Sequence, residues 1–130
     1  MNNRYSHFLL FAQEDLKSAE VLFKEEIFNQ ACFHSQQAAE KSLKAFIKTR
    51  KRTAPKIHNL SELLNICLEY ELSFKNLTDY CRYLDRFYIS TRYPETFVGS
   101  IPEGLPIKTD AKKAIEYAEN IYCFVKEILS

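Results

Sequence analysis

Between residues 31 and 45 the chain places Ala31, Ser35, Ala38, Ser42 and Ala45 at successive intervals of four, three, four and three. On a helix this spacing gathers small side chains into one stripe, along which a neighbouring backbone can approach closely. A helix over about residues 29 to 50 is therefore expected at the centre of a bundle, its stripe serving core packing rather than a face between subunits. Phe33, Leu43 and Phe46 flank the stripe and supply the bulk.

The same period runs through most of the chain. Tyr5, Phe8, Ala12, Leu16, Ala19 and Phe23 predict a first helix over about 4 to 26, with a break at Ile27 to Asn29. Pro55 bars continuation of the second helix, because proline disfavours helical geometry in the residue before it and donates no hydrogen bond. Leu60, Leu63, Leu64 and Cys67 mark a third helix starting near Asn59 or Ser61. Phe74, Leu77, Cys81, Leu84 and Tyr88 mark a fourth over about Ser73 to Ser90, with Ser73 as its cap. The stretch TRYPETFVGSIPEGLPIK holds both glycines and three of the four prolines, and is the one long irregular segment. Thr109 then caps a fifth helix, with Ala114, Tyr117, Ile121, Phe124 and Ile128 on its core face. The reading is all-α: an antiparallel up-and-down bundle of four to five helices, forming one domain over residues 1–130.

Net charge and cysteine placement narrow the function. A formal charge of +1 gives no general attraction to nucleic acid, so affinity for anions has to come from local clustering. No apolar run is long enough to cross a bilayer and no signal-peptide pattern opens the chain, which predicts a cytoplasmic protein. Cys32, Cys67, Cys81 and Cys123 are far apart and read as small buried hydrophobes, and the histidines have no metal-ligand spacing. Neither a metal nor a cofactor is expected. Phosphate-loop, dinucleotide and nucleophile-elbow motifs are also missing from the sequence.

Clustering does occur between residues 41 and 56, where Lys41, Lys44, Lys48, Arg50, Lys51, Arg52 and Lys56 supply seven cations and no acid. A helix C-terminus attracts two or three cations through its backbone carbonyls, but not seven. The excess suits a phosphate-binding edge, although no interleaved aromatics support base reading. Arg82 and Arg86, with Asp79 and Asp85 nearby, read as intrahelical ion pairs. Arg92 stands before Tyr93 and Pro94. Either its guanidinium grips a phosphate or carboxylate beside a fixed turn, or the turn ends the helix and Arg92 is solvated. His7 reads as exposed and His34 as a residue at the core edge. His58 alone has cations close in sequence, which would favour its neutral form, as a general base requires.

The stretches FNQACFHSQQAAEKSLKAFIK, PKIHNLSELL and STRYPE, in that order, resemble the HEPN family of small all-helical domains, as does the opening FAQEDLKSAEVLF. Ala31, Phe33, Gln37, Ala38, Glu40, Lys41, Lys44, Ala45, His58, Leu60, Leu63 and Arg92-Tyr93-Pro94 carry the resemblance over nearly the whole chain. It implies a homodimer with a cleft between subunits, and a minimal nucleotidyltransferase as partner, in some cases as toxin and antitoxin. Members that are ribonucleases cut RNA without a metal, using a histidine four to six residues after an arginine. Arg52 and His58 have five residues between them, which fits that spacing, but Pro55 interrupts the helical backbone on which such a pair normally sits.

The expected function is binding of a nucleotide or RNA phosphate by Lys41, Lys44, Arg52, His58, Arg92 and Tyr93. Two alternatives stay open: an endoribonuclease toxin with Arg52 and His58 as its catalytic pair, and a structural interaction module without chemistry.

Overall fold

The computed structural model describes residues 5–90 and 104–130, with side chains at all of these except 89 and 90. Helix α1 spans Ser6–Lys24, α2 Phe28–Arg50 and α3 Leu60–Leu68. A 3-10 helix over Leu72–Leu77 leads into α4, Thr78–Leu84; the short α5 covers Phe87–Ser90 and α6 covers Lys108–Leu129. No strand occurs among the described residues. The bundle is all-α and antiparallel, as the apolar periodicity requires.

Helix α2 is central and packs against α1, α3, α4, α5 and α6. All five members of its small-residue stripe are fully buried. The hydroxyls of Ser35 and Ser42 donate to the carbonyls of Ala31 and Ala38, at 2.8 Å each, so burying them leaves no donor unpaired. Leu43 and Phe46 are buried, and Phe46 meets Phe74 of the 3-10 helix with ring centroids 4.5 Å apart. Ala12, Leu16 and Ala19 of α1 and Ala111, Ala114, Ala118, Ile121 and Val125 of α6 close the core from two sides.

The turn from α1 to α2 is a Schellman closure. Ile27 N–H donates to Leu22 O at 2.9 Å and Glu26 N–H to Phe23 O at 3.0 Å, with Glu26 at φ 61°, the left-handed position glycine usually fills.

Three expectations need correcting. The fourth helix is not continuous: it divides into the 3-10 helix, α4 and α5. Ser73 does not cap it, since its hydroxyl donates to Glu71 Oε2 at 2.9 Å. Asp85, which follows α4, turns its carboxylate to α3. It accepts from the Leu60 and Ser61 amides (2.6 and 3.1 Å) and the Ser61 hydroxyl (2.9 Å), and so holds the N-terminus of α3. Thr109 lies inside α6, where Asp110 Oδ2 accepts the Ile107 amide at 2.9 Å. The third correction concerns the thiols: Cys32, Cys67 and Cys81 are buried, but Cys123 is exposed.

Candidate functional site

Polar side chains of α2 form two clusters, each built around a buried carboxylate. In the first, Glu40 is only 4% exposed. Its Oε2 accepts from Lys44 Nζ at 3.0 Å, one turn along, and from His58 Nδ1 at 3.0 Å, in the segment leading to α3. Its Oε1 accepts from Gln37 Nε2 at 3.4 Å. The buried Gln36 donates to the carbonyl of His58 at 3.1 Å and accepts from Gln37 at 2.7 Å. Residue 58 is thus pinned to α2 through its ring and through its backbone.

The His58 ring lies flat on Tyr88 of α5, with centroids 5.0 Å apart and planes 9° from parallel. Its side chain remains 51% exposed. A carboxylate can only accept, so Nδ1 carries the hydrogen and Nε2 is the nitrogen left for other chemistry. Among the described residues Nε2 has no hydrogen-bond partner.

In the second cluster, Asp15 of α1, 8% exposed, accepts from His34 Nδ1 at 2.9 Å and from Lys41 Nζ. Burial pushes its carboxyl toward the neutral form. The hydrogen bonds from His34 and Lys41, together with their charge, outweigh that and hold it below its ordinary pKa. Phe33, beside His34, approaches Tyr88 at 6.5 Å, so an aromatic run passes from one histidine to the other.

Lys44 and His58 therefore meet at Glu40, while Lys41 belongs to the Asp15 cluster, and both lysines are paired with acids. The cationic edge read from sequence is correspondingly smaller. Arg50 rests over the Phe46 ring at 5.1 Å, and Lys51, Arg52 and Lys56 are exposed along the segment that ends at His58. Residues 51–59 are not helical, so Arg52 and His58 share no helix face, and no hydrogen bond joins them among the described residues. The partner of His58 in space is an acid, contrary to the cationic setting its sequence neighbours suggest. Arg92 and Tyr93 lie outside the described residues, as does most of the segment that contains them.

Sequence reasoning passed over Asp15, Gln36 and Tyr88. Asp15 did leave a signal: it is a lone acid on the apolar stripe of the first helix, between Ala12 and Ala19. Gln36 and Tyr88 left none, because only the folded chain brings them to His58. No group of three or more potential metal ligands occurs among the described residues.

Comparison with known proteins agrees with this architecture. The family model of the HEPN domain matches residues 5–128. A Methanocaldococcus jannaschii protein, named "Putative toxin MJ1304", is 29% identical over 130 residues, covering 94% of this chain and 86% of its own length. Among solved structures, TT1696 from Thermus thermophilus superposes with a TM-score of 0.84 at 29% identity, covering 97% of this chain and 98% of its own. ST0689, described as an archaeal HEPN homologue, has a TM-score of 0.76 at 27% identity, with both chains covered completely.

Proposed function

Since the chain belongs to the HEPN domain family, we propose that it binds the phosphate of a nucleotide or of RNA as a cytoplasmic homodimer, partnered by a minimal nucleotidyltransferase in a toxin–antitoxin pair. The observation that carries this reading is the meeting of Lys44 and His58 on one buried oxygen of Glu40, with the imidazole half exposed on Tyr88. A ring held in this way loses little further freedom when its Nε2, protonated as the imidazolium, donates to an anion. Lys44 keeps donors beyond the one given to Glu40, and Lys41 stands one turn earlier on the helix. Arg52 supplies a planar guanidinium from the same exposed segment, with Arg92 and Tyr93 assigned to complete the site. Likeness to a protein named as a toxin supports the biological setting. Among the described residues, no helix is long and apolar enough to cross a membrane.

Fluorescence anisotropy with labelled single-stranded RNA, and separately with ATP, tests the reading. Affinity should fall with rising salt, and His58→Ala and Arg52→Ala should each weaken binding about tenfold, or ~1.4 kcal/mol. Absence of binding even at low ionic strength would leave the structural interaction module as the better account.

One observation favours a second reading, a metal-independent endoribonuclease. A buried carboxylate orienting Nδ1 while Nε2 stays open is the arrangement a histidine acid–base catalyst needs. Nε2 would take the 2′-hydroxyl proton as that oxygen attacks the adjacent phosphorus, and the displaced 5′ oxygen would be protonated in turn. Arg52 would stabilise charge on the phosphate. RNA cleavage by the purified chain in chelator, lost in His58→Ala, would establish this reading over simple binding.

A further inference from the structure

Helix α1 presents apolar side chains on the side turned away from the core. Leu10, Phe11 and Val21 are 49%, 48% and 52% exposed. Ala12, Leu16 and Ala19, which pack into the core, lie on the opposite side of the same helix. Leu10, Glu14, Lys17 and Val21 follow one another at intervals of four, three and four, so they form a single stripe along the exposed side. At a rise of 1.5 Å per residue the stripe is about 16.5 Å long. Glu14 and Lys17 are both exposed, and neither is held in an ion pair among the described residues.

The order along this stripe is apolar, acid, base, apolar, which is its own complement when reversed. With a second α1 laid antiparallel on the first, about a two-fold axis near residues 15 and 16, Leu10 meets the partner's Val21 and Glu14 meets the partner's Lys17. Symmetry makes each contact twice. A parallel pairing would instead set acid on acid and base on base. The surface beside the stripe fits the same register. Lys17, Ser18, Val21 and Leu22 of α1, with His34 of α2, line an open recess of about 330 Å³ on the stretch of α1 that the partner's Leu10 would face. Glu14, Lys17, Ser18 and Val21 stand at i, i+3, i+4 and i+7, the spacing of a hole that receives one side chain of a facing helix. A membrane surface is a poorer occupant, because it would bury Glu14 in the middle of the stripe without a counter-charge.

We infer that the stripe of Leu10, Glu14, Lys17 and Val21 is the face on which a second copy of this chain docks, antiparallel and with Glu14 against the partner's Lys17. The partner's Leu10 then enters the recess beside His34, whose side chain is 30% exposed. The histidine held by Asp15 thereby comes to lie at the seam between the copies. The inference names a face for the homodimer proposed above and rests on that part of the reading, not on phosphate binding.

Sedimentation velocity on the full chain gives the dimer dissociation constant of the wild type and of the Glu14→Lys and Lys17→Glu variants. Both positions are exposed, and an unchanged Tm establishes that each variant is folded. Each substitution turns two attractive contacts into two like-charge ones, so each variant alone should dimerise at least about tenfold more weakly. Mixing the two variants should restore a dimer of nearly wild-type affinity, because every contact then joins opposite charges. Leu10→Asp should weaken association at least as much as either charge change. If the wild type is a dimer and the two charge variants associate as it does, the inference is overturned while the homodimer stands. The same holds if their mixture stays monomeric. A wild-type chain that is monomeric at about 100 μM removes the homodimer and its face together. ATP affinity, measured on the same samples, reports on the phosphate site independently.

Discussion

Asp15 shows what a single buried acid does for this protein. Its carboxyl is pushed up by burial but drawn further down by His34 and Lys41, so its folded pKa lies below the unfolded value of about 3.9. A lowered pKa contributes stability that is present above the unfolded value and is lost as pH falls through the folded one. Asp15→Asn should therefore lower Tm at neutral pH and flatten its fall in acid. Thermal melts by circular dichroism between pH 7 and pH 2.5 would show both effects. Glu40 leads to a different expectation, because the cost of losing it is an orphaned Lys44, itself 8% exposed. Glu40→Leu alone should cost about 3–5 kcal/mol, whereas Glu40→Leu with Lys44→Met should recover most of that, as apolar replacements of buried pairs generally do. Urea unfolding of the two single variants and the double variant decides the point.

Among the elements, α3 depends most on a distant side chain. Asp85 satisfies amides at its start that Asn59, which accepts from Glu62 N–H at 2.8 Å, does not reach. Asp85→Ala should destabilise by about 1–2 kcal/mol, measured as a shift in the urea midpoint. The sequence reads well for α2 and poorly for the fourth helix. The limits of α2 rest on local causes: small residues at a sustained period, cations in its last turn, and a proline beyond. A 3-10 helix, however, also sets residues i and i+3 on one side, so the interval from Phe74 to Leu77 looks the same in either geometry. At the break after Leu84, Asp85 bonds to α3, 25 positions back in the chain, a contact no local pattern records. Within the site, the Glu40–Lys44 spacing of four is a local pattern, but from sequence Lys44 reads only as part of a cationic edge. The His58–Glu40 bond spans 18 positions and a proline-containing segment, and no local pattern encodes it.

For the molecule as a whole, one core ties the described helices together and should open as a unit. Cys32, Cys67 and Cys81 sit in that core, and burial pushes their thiols well above the ordinary range, Cys67 to about 12. Cys123 is on the surface. Under native conditions a thiol reagent should label Cys123 within minutes, and the other three only at the rate of global unfolding. Rapid labelling of Cys32 in buffer would show that the central helix separates from its neighbours locally.

Because one oxygen of Glu40 serves both Lys44 and His58, neither donor can be disturbed without the other gaining a larger claim on it. A visiting anion that draws the lysine outward hands the imidazole a stronger tether, and one that draws the imidazole does the reverse. Substitutions at positions 44 and 58 should accordingly fail to add in any ligand titration, and the size of that discrepancy would measure how tightly occupancy of the surface is tied to the interior of the bundle.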